Sequence, residues 1–241
     1  MTEGQERVVV VAGGAGNVGE GIVRTFLDEG ATVVVPSRSE ARLAALRQRM
    51  ATAVVDRLVG VAADIGTPDG AAAIAAQAES YAPVEVVVAA LGGWYQGPPV
   101  IETDWATWQR VLHDILHTHF LAARALLPAL VQRRRGTYVL INGFSAEEPY
   151  PGAGPVSVGA AAQQMLSRML MTELERTGVG VSQLVLGPVY SRSRSRGRPE
   201  WITADEVGAF CAALADGRRK PGLHRLMTKA DLQGADAWTP L

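Results

Sequence analysis

Short apolar runs alternate along the chain with longer segments in which apolar residues recur at helical spacing. Val8–Ala12, Thr32–Val35, Leu58–Ala62, Val84–Ala90, Thr137–Ile141 and Val179–Leu186 are β-branched-rich or continuously apolar, the pattern of parallel strands buried on both faces. Between them, Val18–Glu29, Glu40–Met50, Asp69–Ser80, Trp105–Arg134 and Ala160–Thr177 read as helices. Ser37 with Glu40, and Thr203 with Glu206, have the spacing of a capping box. Gly30, Gly136 and Gly178 follow helical segments, where a left-handed residue is favoured. A β-α-β-α series predicts an α/β fold: a parallel sheet covered on both faces, with right-handed crossovers. No domain boundary, repeat or long linker interrupts it, so residues 1–241 read as a single domain, with Ser191–Pro199 its least ordered stretch.

Composition narrows the class. The 24 acidic residues nearly cancel the 23 basic ones, and a net charge of −1 gives no global field to steer the chain to nucleic acid or an anionic membrane. Cys211 is the sole cysteine, which excludes an internal disulfide framework and a multi-cysteine metal site. The start, Met1 to Arg7, is polar, and no apolar run approaches the roughly 20 residues of a membrane span, so a cytoplasmic, soluble protein is expected. The only lysines are Lys220 and Lys229.

Candidate chemistry begins after the first strand. Gly13-Gly14-Ala15-Gly16-Asn17-Val18-Gly19 contains G-x-G-x-x-G between a strand and a helix. Glycines there let the backbone turn sharply, approach a pyrophosphate and pack helix on strand, and the helix N-terminus then faces the anion. About 20 residues further on, such a unit places an acid for a ribose 2′-hydroxyl or an arginine for a 2′-phosphate. This chain has Val35-Pro36-Ser37-Arg38 and no acid until Glu40. Arg38 offers a planar fork and Ser37 and Ser39 offer hydroxyls, which favours NADP(H) over NAD(H). The plainer reading of Arg38 is a solvated helix-start arginine. Asp64, in Ala63-Asp64-Ile65 at the end of the third strand, is placed to accept from an adenine amino group.

These motifs resemble the short-chain dehydrogenase/reductase family over almost the whole chain. Gly13 to Gly19 are similar to its T-G-x-x-x-G-x-G element, Asp64-Ile65 to its adenine-binding D-V pair, and Leu186-Gly187-Pro188-Val189 to its P-G-x-V turn beside the nicotinamide. The resemblance implies a doubly wound, Rossmann-type sheet of about seven strands and a bound nicotinamide cofactor. Contacts from Gly92, Gly187 and Val189 belong to the same implied cofactor site. It also implies a homodimer or homotetramer built on the two long helices.

The catalytic pattern departs from the family at every position. Ala89-Ala90-Leu91-Gly92 stands for N-N-A-G, Ile115 for the helix asparagine, and Asn142 or Gly143 for the strand-end serine. The Y-x-x-x-K motif falls on Pro155 and Gly159, and no tyrosine anywhere has a lysine four residues later. Loss of a positioned proton donor forfeits roughly 10²–10⁴-fold in rate. Replacements are sought at the carboxyl ends of the strands, where doubly wound sheets bind ligands. Tyr150, Glu147 and Asn142 are the catalytic candidates, Glu147 with a pKa raised by an apolar cleft. Trp94, Tyr95, Ser145 and Tyr190 are expected to line the substrate. Each has a plain alternative as a packing or solvated loop residue.

His113 and His117 stand one turn apart but lack a third ligand, so no metal site is expected. His119, one turn beyond Ile115, connects to the cleft. Arg192, Arg194, Arg196 and Arg198 either clamp an acidic substrate or form a solvated loop. Three functions compete: an NADP(H)-dependent oxidoreductase of a small organic substrate, with cleft water, Tyr150 or Glu147 as proton donor; a non-redox cyclase, isomerase or dehydratase; and a nucleotide-binding pseudoenzyme.

Overall fold

A computed structural model describes residues 7–192 and 197–234. Its strands are β1 (Val8–Ala12), β2 (Thr32–Ser37), β3 (Leu58–Ala62), β4 (Val84–Ala89), β5 (Gly136–Gly143), β6 (Val179–Leu186), β7 (Val189–Tyr190), β8 (Ile202–Thr203) and β9 (Leu223–Leu226). Seven of them form one parallel sheet in the order β3-β2-β1-β4-β5-β6-β9, and β7 pairs β8 in a small parallel ribbon. The fold is a doubly wound, Rossmann-type α/β sheet.

Alternation within the strands divides the core into two layers. Val9, Val11, Val33 and Val35 face a layer that includes Ile22 and Phe26 of α1 (Asn17–Asp28), Leu43 and Leu46 of α2 (Glu40–Arg49), and Phe210 of α7 (Ala204–Ala215). Val8, Val10 and Val34 face the opposite layer, with Ile74 of α3 (Pro68–Glu79), Leu126 and Leu130 of α5 (Thr118–Arg133), and, at its margin, Leu170 and Leu174 of α6 (Gly154–Leu174). A strand apolar on both faces is therefore covered on both, which is why β1 is wholly buried.

Several local expectations are corrected. The helix expected over Trp105–Arg134 is divided into α4 (Trp105–Leu112), a π turn at His113–His117 and α5. The last long helix starts at Gly154 rather than Ala160, with Pro155 in its first turn, where the missing N–H costs nothing. Ser39 caps α2 by accepting from the Arg42 amide, while the Ser37 hydroxyl serves a local turn through Ser39, so the Ser37–Glu40 box does not form. The Thr203–Glu206 box does form and opens α7. After α5 the helix cap is the left-handed Arg134 (φ 53°), and Gly136, also at positive φ (128°), begins β5.

Candidate active site

The site lies where the strand order reverses. β1 pairs with β2 on one side and β4 on the other, so the loops leaving β1 and β4 diverge and open a crevice. Gly13, at φ +82°, turns the chain out of β1, and a side chain there would collide with the Ala90 carbonyl oxygen. Gly19 meets the Gly13 carbonyl in the same way, and a Cβ on Gly14 would come within 2.9 Å of Val23 and Val35. Gly14 thus packs helix on strand, whereas Gly13, Gly16, Asn17, Val18 and Gly19 line the cleft. The N-cap of α1 is Gly16, and no side chain caps it. Amides of the first turn of a helix without a side-chain cap favour an anion.

From this cradle the cleft, about 560 Å³, runs past Gly92 and Ile115 to β5 and β6. Its outer wall is aromatic. Trp94, after β4, meets Tyr150 edge to face at 5.1 Å between centroids and lies at 26° to Phe144 at 6.4 Å. Phe144 and Tyr150 are 6.2 Å apart, edge to face. Backbone pairing fixes these loops together, since the Gly97 amide donates to the Gly152 carbonyl at 2.8 Å. The β6 side is closed by Leu186, Gly187, Pro188 and Val189. Gly187 donates its amide to the Leu226 carbonyl at 2.9 Å, and this tight approach holds the turn.

A profile of the short chain dehydrogenase family matches residues 7–200. The chain belongs to this family. Galactitol 2-dehydrogenase (L-tagatose-forming) of Cereibacter sphaeroides is 31% identical over 208 residues, covering 82% of this chain and 80% of the relative. A short chain dehydrogenase of Pseudocercospora fijiensis is 30% identical, over 73% of this chain but only 57% of its own length. Among solved structures, a short-chain dehydrogenase/reductase from Mycobacterium ulcerans superposes with a TM-score of 0.84 at 18% identity, over 97% of this chain and 92% of that one. A metagenomic short-chain oxidoreductase in complex with NADP gives 0.77 at 23% identity, over 91% and 97%.

Within the short-chain dehydrogenase frame, the α6 register is one residue further on than expected. Val156, Ala160 and Gln163 line the cleft; Pro155 and Gly159 do not. Gly159 instead packs under the π turn, where a Cβ would come within 3.3 Å of Leu112 and Ile115. The positions one turn apart on the cleft face of α6 are therefore Val and Ala, neither able to carry a proton. Ile115 is 6% exposed and closes the floor.

The predicted residues divide. Trp94, Asn142, Ser145 and Tyr150 converge on the cleft with Gly92, Gly187 and Val189. The Asn142 amide is committed, donating to the Ala160 carbonyl at 2.9 Å and accepting from the Gly143 amide at 2.8 Å; it ties β5 to α6. Glu147 does not line the cleft: Gln164 donates to its carboxylate at 2.8 Å and Arg225 pairs with it at 2.9 Å. Tyr95 packs against the small cluster of Val111, Ile115, Ala153 and Val156, and Tyr190 against Gly197, so neither is part of the wall. Arg192 pairs with Asp205 at 2.8 Å, Arg198 lies 3.9 Å from Glu200, and neither lines the cleft; Arg194 and Arg196 lie outside the described residues.

Outside the lining of the cleft, just after β2 and β3, Arg38 and Asp64 come together, their charged atoms 4.0 Å apart, with the Arg38 side chain 66% exposed. Asp64 also accepts from the Gly66 amide at 2.8 Å. Ile65 faces inward into the core. A Cβ on Gly66 would lie 2.8 Å from His113 Nε2, so His113 belongs to this region, which its helical spacing with His117 does not reveal. The His113 and His117 rings meet edge to face at 5.6 Å, and among the described residues no three metal-ligating side chains converge.

Sequence reasoning also missed Phe144, Val156 and Gln163. Gln163 is 1% exposed; it donates to the Ile141 carbonyl at 3.2 Å and lies 3.4 Å from both ring nitrogens of His119. Burial lowers the His119 pKa to about 4, outweighing a hydrogen bond to the Leu91 backbone that raises it. The signal for Gln163 was a polar residue one turn beyond the apolar Val156 and Ala160, at the spacing of one helix face.

Proposed function

We propose that this short-chain dehydrogenase is an NADP(H)-dependent oxidoreductase of a small organic carbonyl or alcohol, with Tyr150 as its proton-transfer group. The supporting observation is that the glycine cradle and the aromatic wall border one open cleft. The cradle fits a dinucleotide: glycines occupy positions where side chains would collide, and the first turn of α1 has no side-chain cap. Arg38 is exposed and free to receive a 2′-phosphate, its partner Asp64 being at the limit of ion-pair distance. One relative, from Salmonella typhi and 26% identical, is an NADP-dependent 3-hydroxy acid dehydrogenase, which agrees with this preference.

A bound nicotinamide supplies the hydride exchanged with the substrate carbon. The protein handles the accompanying proton. Tyr150 carries the one titratable side chain that lines the cleft among the described residues, and at 42% exposure it re-equilibrates with water. It gives its phenolic proton to the substrate oxygen during reduction and takes one during oxidation. With no lysine on α6 to assist it, simple ketones are expected to turn over very slowly.

Calorimetric titration is expected to give tighter binding of NADPH than NADH, with the preference abolished in Arg38→Ala. Equal affinities in the native protein overturn the cofactor assignment. In a nicotinamide absorbance assay with a ketone panel, Tyr150→Phe is expected to lower turnover at least about tenfold without changing NADPH affinity. Unchanged turnover removes Tyr150 from the chemistry. The apolar pair Val156 and Ala160 favours one other reading, a nucleotide-binding subunit without turnover. A cleft that binds NADPH yet supports no substrate-dependent absorbance change in any assay is its signature.

A further inference from the structure

We infer that the substrate is an uncharged aromatic compound bearing one carbonyl or hydroxyl group, its ring against Trp94, Phe144 and Tyr150 and its oxygen at Ser145. The inference rests on the reading of this cleft as an active site and specifies what enters it.

Charge supports it first. Among the described residues no Asp, Glu, Lys, Arg or His lines the cleft. A carboxylate, phosphate or ammonium on the substrate would lose its water there and gain no counter-ion, a cost that excludes such groups from the reacting end. The nearest acid by sequence, Glu147, is already neutralised by Arg225.

Shape and polarity support it next. Trp94 is 51% exposed and Tyr150 42%, so two large rings stand partly uncovered at the mouth, in contact with a third. Aromatic rings prefer the faces and edges of other rings, and covering this surface releases its water. The floor opposite, Ile115, Val156 and Ala160, has no hydrogen-bonding side chain. A polyol would leave several hydroxyls unpaired against it, each having given up its water for nothing.

Two polar side chains on this surface, Asn142 and Gln163, are committed to the Ala160 and Ile141 carbonyls; a third, Ser145, is not. Ser145 is 5% exposed, lines the cleft and makes no hydrogen bond to any described residue. Its hydroxyl opens onto the cleft rather than being sealed in the core, so it is available to an incoming oxygen. It stands on the same turn as Phe144, so ring and oxygen are gripped by adjacent residues.

The test is calorimetric binding to the whole chain, with and without saturating NADP+, of four probes. These are 2-acetylnaphthalene, its carboxylated analogue 6-acetyl-2-naphthoate, its saturated analogue 2-acetyldecalin, and its cationic analogue 6-acetyl-N,N,N-trimethyl-2-naphthylammonium. The neutral aromatic ketone is expected to bind at least tenfold more tightly than the carboxylate or the cation, and at least fivefold more tightly than the saturated ketone. Phe144→Leu and, independently, Trp94→Leu are expected to erase the aromatic preference; Ser145→Ala is expected to weaken the aromatic ketone about fivefold. Trp94 is exposed, so its variant folds even where the others fail. Equal or tighter binding of the carboxylate, the cation or the saturated ketone overturns the inference, as does absence of binding by all four. Loss of NADP+ binding or of turnover with ring selectivity retained counts against the oxidoreductase reading alone.

Discussion

His119 has no contact with solvent, and its imidazole is held neutral by burial, with a pKa of about 4 against an ordinary 6.5. The unfolded chain therefore takes up a proton at this position between pH 6.5 and 4 that the folded chain refuses. The stability this contributes is complete above pH 6.5 and declines as pH falls toward 4, by about 2 kcal/mol at pH 5. Urea denaturation at a series of pH values is expected to show this decline, and His119→Gln to flatten it. Parallel curves for the two proteins would locate the acid sensitivity elsewhere. Side-chain direction is also what made the site only partly legible. Trp94, Tyr150 and Ser145 follow from strand-end position alone, but Tyr95 and Glu147, neighbours of two of them along the chain, turn into packing and an ion pair. Spacing along a loop carries no information about which way a side chain faces.

At the scale of elements, α6 decides the catalytic character of the cleft. Val156 and Ala160 are one turn apart on its inner face, and Pro155 and Gly159 are rotated away. Val156→Tyr with Ala160→Lys is expected to raise NADPH-dependent ketone reduction at least tenfold, because a general acid assisted by a cation is then aimed into the cleft. Pro155→Tyr with Gly159→Lys is expected to give no gain and to destabilise the fold, since Gly159 has Leu112 and Ile115 against it. Equal activity in both double variants would refute the one-residue correction. Six strands were legible because β-branched runs buried on both faces leave a continuous apolar signature. β9 was not: four residues long, at the sheet edge, it contains His224 and Arg225 and reads as a loop. The first turns of α6 were hidden by Gly154, Pro155 and Gly159, whose helical role depends on packing rather than propensity.

At the scale of the whole molecule, α6 presents Val158, Met165 and Met169 outward at seven- and four-residue intervals, one exposed apolar stripe, and Phe120 of α5 is half exposed as well. We propose that these long helices pair across a two-fold axis in a homodimer or homotetramer, which would cover the stripe. Light scattering at low micromolar concentration is expected to report a dimer or larger, and Met165→Glu to shift the population toward monomer. A monomeric native protein would refute it. The strand order also has a consequence for how the chain is made. β1 lies mid-sheet with β2 and β3 to one side, and β4, β5, β6 and β9 are added on the other in the sequence in which they leave the ribosome. Each emerging strand meets a finished edge, and no pair must open to admit a later one. The glycine turn and the loop after β4 are complete once roughly the first two-fifths of the chain has emerged, so the cradle is assembled before the aromatic wall's Phe144 and Tyr150 have emerged.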